Sequence, residues 1–126
     1  MVPSNFLKMR DLLVLGLALC AATTALACGS PAQCLHDLPA SCPSPVPSYS
    51  SSVSEIISQS CVVGCHTAGG AAPDRPYNTY QEVYSQQSAV LNQAYECFMP
   101  PAGSPPLTAT QRAQLFGWLV CGAPNN

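Results

Sequence analysis

Charge is the scarcest commodity in this chain. Its 126 residues include only four Lys or Arg and six Asp or Glu. Four cations cannot neutralise a phosphate backbone, so nucleic acid is excluded as a partner. The acids offer no catalytic pair, because Glu55, Glu82 and Glu96 read as helix-capping or solvated positions. Alternating apolar strands and Asn-Gly hairpins are missing too, which argues against a sheet. No apolar run reaches the roughly 20 residues that a bilayer-spanning helix requires. The length admits one domain at most.

Cysteine and proline are abundant instead, at 8 and 13 residues. That much cysteine demands a covalent explanation in disulfides, a metal or a cofactor. The chain opens with Lys8 and Arg10, then an apolar run from Leu12 to Ala22, then Ala25-Leu26-Ala27. This is the pattern of an export signal over residues 1–27, and export places the rest where disulfides persist. Two cleavage readings compete. Cutting before Cys28 can be ordinary, or it can resemble a bacterial lipobox with Cys28 lipidated, although Ala25 stands where lipoproteins usually carry Leu. Cysteine parity favours lipidation: seven Cys survive the cut, and removing Cys28 from the tally leaves six that can all be used. The expected location is the periplasm or an outer-membrane-anchored lipoprotein, touching the membrane only through that anchor. In the mature chain Arg75 and Arg112 face Asp37, Glu55, Asp74, Glu82 and Glu96, a formal charge near −3. That suits a solvated surface and a monomer.

Residues 28–51 hold Pro31, Pro39, Pro43, Pro45 and Pro47 among many Ser and Ala, and read as an irregular tether. Cys34 and Cys42 within it most simply close a local loop with each other; His36 reads as a solvated loop residue. From Ser52 the punctuation turns helical. Capping boxes are expected at Ser52–Glu55, Thr79–Glu82 and Thr108–Gln111. Behind them Val53, Ile56 and Ile57, then Val83 and Tyr84, then Leu115, Trp118 and Leu119 form apolar faces. Gly122 and Pro124 end the last helix. Residues 52–126 are therefore expected to be an all-α domain of three to four short helices. A core that small needs a staple.

Cys61-Val62-Val63-Gly64-Cys65-His66 follows the first helix. Two thiols with an adjacent His follow the logic of covalent haem attachment, in which thiols add to porphyrin vinyl groups and His ligates iron. Three residues separate the thiols where the usual motif has two, so the extra residue must be absorbed as a bulge, which Gly64 can accommodate. Cys97-Phe98-Met99-Pro100-Pro101 lies further on. A gap-filling core Met is the ordinary role for such a residue. A Met before a stiff double proline can equally present a thioether to iron.

Together, the capped helix, Cys-x3-Cys-His, Met-Pro-Pro and a last helix bearing Trp118 and ending in Cys-Gly-Ala-Pro resemble the small cytochrome c domains of bacterial envelope proteins. The resemblance covers residues 52–126. It implies one covalent haem c, with thioethers at Cys61 and Cys65 and iron ligated by His66 and Met99. The implied function is single-electron transfer with redox partner proteins rather than an enzymatic reaction, and the implied first and last helices cross and pack over one haem edge. With those residues assigned, Cys97 and Cys121 remain and are expected to bridge, holding Met99 in place. The chief rival is a haem-free, disulfide-stapled envelope lipoprotein, in which Cys61 and Cys65 bond each other or Cys97 and Cys121. A zinc site from Cys61, Cys65, His66 and Cys97 is disfavoured by the awkwardness of adjacent ligands. A Cys/His hydrolase lacks a third orienting residue.

Overall fold

The computed structural model describes residues 34–126. The expected export signal over residues 1–27 and the lipidation of Cys28 lie outside them. Among the described residues every regular element is helical and no strand occurs. Helix α1 (Ser54–Ile57) is flanked by wide turns at Tyr49–Val53 and Ser58–Val62; α2 spans Tyr80–Ser85, α3 Gln87–Tyr95 and α4 Ala109–Val120. No described helix is long and apolar enough to cross a membrane.

Thr79 and Thr108 cap α2 and α4 through complete capping boxes, with Glu82 and Gln111 returning to the cap backbone. The first helical segment starts earlier than expected. Ser48, not Ser52, is its cap, and its hydroxyl accepts from the Ser51 amide. Ser52 instead donates its hydroxyl to the Ser48 carbonyl at 2.8 Å, inside the first turn. Local bonding of Ser to the preceding turn competes with capping, and here it wins.

Val53, Ile56 and Ile57 from the first segment meet Leu115, Phe116, Trp118 and Leu119 from α4 in the core. Val83 joins them, whereas Tyr84, expected on the buried side, lies exposed beside Tyr80. Trp118 is fully buried and donates its indole N–H to the Pro124 carbonyl at 2.8 Å. Tyr49 packs against it at 5.4 Å between ring centroids.

Both α3 and α4 end in the same double hydrogen bond. The Cys97 and Phe98 amides donate to the Ala94 and Gln93 carbonyls, and the Gly122 and Ala123 amides donate to the Leu119 and Trp118 carbonyls. This termination needs a left-handed residue just past the helix, usually Gly. Gly122 meets that need at φ 82°; after α3 the position is filled by Cys97 at φ 57°, a conformation disfavoured for a residue with a Cβ.

The disulfides correct the sequence expectation. Cys34 is bonded to Cys97 and Cys42 to Cys121, not Cys34 to Cys42 and Cys97 to Cys121. The physical reason is that residues 34–48 do not hang free. They are irregular, as their prolines dictate, but they lie against α4. Pro43 and Pro47 approach Gly117 so closely that a Cβ there would sit 3.0–3.1 Å from their ring carbons. Arg112 grips the same arm through Asp37, at 2.8 Å, and through the Leu35 carbonyl. An arm held in this way brings Cys34 to the end of α3 and Cys42 to the end of α4, and the local loop never closes.

Candidate functional site

Cys61 lies in the wide turn Ser58–Val62, where each backbone hydrogen bond spans one residue more than in an α-helix. The Val63 amide reaches back five residues to the Ser58 carbonyl, and the His66 amide five residues to the Cys61 carbonyl at 3.0 Å. Such insertions recur at functional sites. Gly64, at φ 73°, turns the chain so that Cys65 and His66 follow at once. The extra residue between the thiols is thus taken up by the wide winding and the left-handed glycine together.

The segment after His66 folds back to hold it. The Ala71 and Ala72 amides donate to the Gly64 and Cys65 carbonyls, and the Tyr77 amide donates to the His66 carbonyl. Gly70 is required here, since a Cβ would fall inside the Cys65 carbonyl. His66 is buried, and its ring stacks on Tyr77 at 4.2 Å and 20°. Its Nδ1 lies 2.7 Å from the Arg75 carbonyl oxygen. A carbonyl can only accept, so Nδ1 carries a proton, which in the neutral imidazole leaves the lone pair on Nε2. A backbone carbonyl fixing the tautomer in this way is the usual support of a ligating histidine.

Cys61, Cys65, His66 and Met99 line one cleft, together with Pro100 and Pro101. Its cavity volume is about 110 Å³, below the roughly 300–1,000 Å³ of ligand and cofactor sites. Its apolar wall comes from Val90 and Ala94 of α3, Leu115 of α4, and Leu107. Ala89, Val90, Gln93 and Ala94 reach it together because they share one face of α3. The Gln93 carbonyl accepts from both the Phe98 and Met99 amides, at 2.9 and 3.0 Å, and so aims the Met99 loop at the cleft.

Cys61 and Cys65 are free thiols, while Cys97 and Cys121 are both spent in other bridges. Burial, with a smaller contribution from Cys65, pushes the Cys61 thiol up to about 11. It is a neutral S–H at physiological pH rather than a thiolate. The expected alternatives in which Cys61 or Cys65 bonds Cys97 or Cys121 are therefore overturned. The zinc reading loses its fourth ligand with Cys97, and no group of three or more His, Cys, Asp or Glu able to hold a metal ion occurs among the described residues. His36 is exposed, its ring edge-on to Tyr95 at 4.6 Å, and takes no part in the cleft.

Two contributors escaped the sequence reading. The Arg75 carbonyl is backbone, and no side-chain pattern announces it. Arg112 could have been found, because it falls on the same i, i+3, i+4, i+7 stripe as Leu115, Phe116 and Leu119. A cation on a buried stripe needs a partner, and Asp37 supplies it. No protein-family model, curated protein or solved structure matches this chain.

Proposed function

We propose that the protein is a single-electron carrier of the bacterial envelope, holding one haem c through Cys61 and Cys65 with His66 and Met99 as iron ligands. The observation that carries this reading is the gathering of both free thiols, a tautomer-fixed buried imidazole and a thioether on one apolar cleft. The donor set fits the group: free thiols for two vinyl carbons, imidazole nitrogen and thioether sulfur for iron, and hydrocarbon walls for the porphyrin face. When bound, the haem supplies the one-electron chemistry.

The chain's own residues bind and orient. The Arg75 carbonyl holds the Nδ1 proton of His66, leaving Nε2 as the donor nitrogen, and Tyr77 fixes the ring plane by stacking. Met99 contributes a neutral sulfur, which favours reduced iron and raises the potential. Val90, Ala94, Leu107 and Leu115 give the cleft an apolar wall. No acid or base is required, in keeping with an electron carrier rather than an enzyme. The two disulfides are consistent with an oxidising, exported environment. Anchoring through Cys28 and exchange with redox partner proteins as a monomer complete the proposal.

The test is expression of the mature chain with a covalent haem-attachment system. A Soret band that survives acid–acetone extraction is expected, and Met99→Ala should remove the weak far-red Met-to-iron band and lower the potential. A colourless protein with Cys61 and Cys65 joined to each other would overturn the reading and restore the haem-free lipoprotein.

A further inference from the structure

We propose that Arg112 is the positioning residue of the Met99 loop, fastening it to the N-terminal arm through Asp37. This rests on the haem reading of the cleft and adds to it a determinant that neither lines the cleft nor ligates iron.

Arg112 is buried, yet carries a full charge. Its guanidinium spends that charge on two other segments, the arm and the turn that ends α3. Nε and Nη2 donate to the Asp37 carboxylate at 3.0 and 2.8 Å, and Nη2 also donates to the Leu35 carbonyl. Nη1 donates to the Ala94 carbonyl at 3.0 Å and lies 3.7 Å from Cys97 Sγ. The charge also sits 4.7 Å from the centre of the Phe116 ring on its own helix. Ala94 and Cys97 belong to the turn that ends α3, two to five residues before Met99. In that turn Cys97 adopts a left-handed conformation, while the next two amides, Phe98 and Met99, share the Gln93 carbonyl. A disfavoured turn persists only where its surroundings over-determine it. Here they are the Cys34–Cys97 bridge on one side and the Arg112 fork on the other. A planar fork with five donors can hold both segments at once with fixed geometry, which an ammonium cannot. Without the fork, the loop keeps the bridge but loses the fixed bearing of its backbone on α4, and Met99 is held less firmly.

Imidazole competing with Met99 for ferric iron reads this directly. In the haem-loaded protein, Arg112→Met should let imidazole displace Met99 at about tenfold lower concentration or less, the equivalent of one charge-assisted hydrogen bond. The Soret band of the untreated protein should keep its full intensity. Asp37→Asn, at the half-exposed end of the pair, should shift displacement the same way by a smaller factor and serves if Arg112→Met fails to fold. Arg112→Lys should fall between wild type and Arg112→Met. The Cys42→Ser/Cys121→Ser variant, destabilised through the other bridge, should displace like wild type; a matching shift there would assign the effect to global stability and overturn the proposal. Unchanged displacement in Arg112→Met, or in Asp37→Asn if only that variant folds, would also overturn it. Failure of the haem reading is distinguishable, since the wild-type protein would then carry no covalent Soret band at all.

Discussion

Replacing Cys42 and Cys121 together by Ser tests the crossed disulfide topology most sharply. The bridges span 79 and 63 residues and interleave along the chain. Alone, a loop of 79 residues stabilises by about 4.5 kcal/mol through the restricted unfolded chain. With Cys34–Cys97 still closed, the path between Cys42 and Cys121 shortens to about 32 residues, and the same relation gives about 3.7 kcal/mol. For a domain of this size that is a drop in Tm of about 15–30 °C, measured by far-ultraviolet circular dichroism. Thiol counting in denaturant on the haem-free variant gives an independent answer. With Cys28 also replaced by Ser, the crossed topology leaves two titratable thiols, Cys61 and Cys65. The local pairing Cys34–Cys42 with Cys97–Cys121 would lose both bridges and leave four. Four thiols, or a Tm within about 5 °C of wild type, would refute the crossed topology and the docked arm that produces it.

Other perturbations address the cleft and the helix ends. In the haem-free chain, folding holds the Cys61 thiol protonated up to about 11, against about 9 unfolded. Stability should therefore be intact below pH 9 and fall between about pH 9 and 11, by up to roughly 3 kcal/mol in urea titrations. The haem-loaded protein, its thiol consumed, should lose that dependence on Cys61. Gly70→Ala should destabilise by about 1–3 kcal/mol and reduce covalent haem yield, because the added methyl meets the Cys65 carbonyl; an unchanged melt would contradict the tight approach. Gly122→Ala should cost about 1–2 kcal/mol although its Cβ would meet nothing, since only the left-handed backbone opposes it. Thr108→Ala should cost about 1 kcal/mol in chemical denaturation by removing the α4 cap.

The elements legible in advance were those written by local rules. Capping boxes at Thr79 and Thr108 act within four residues, and the 3.6-residue spacing of Leu115, Trp118 and Leu119 marks a buried face wherever the helix packs. Part of the cleft's lining was legible for the same reason: Cys61, Cys65 and His66 are sequence neighbours, and Met99 stands before two prolines. The Ser52 box failed because an equally good cap stood four residues earlier, at Ser48. Tyr84 failed because the stripe of so short a helix does not say where the buried face ends.

Disulfide partners obeyed no local rule. Sequence proximity favours Cys34 with Cys42, since short loops close most easily in an unfolded chain. The folded chain reverses that preference: Arg112, Asp37 and the Gly117 contact hold the arm along α4, where Cys34 meets Cys97 and Cys42 meets Cys121. The amino-acid sequence by itself determined the helices, the ends of two of them and four side chains that share the cleft. Only the tertiary structure decided which thiols pair, which stay free, and that the Arg75 carbonyl meets the buried His66 ring at Nδ1. Those outcomes depend on distances between segments far apart in the chain, and such distances exist only once the core has packed.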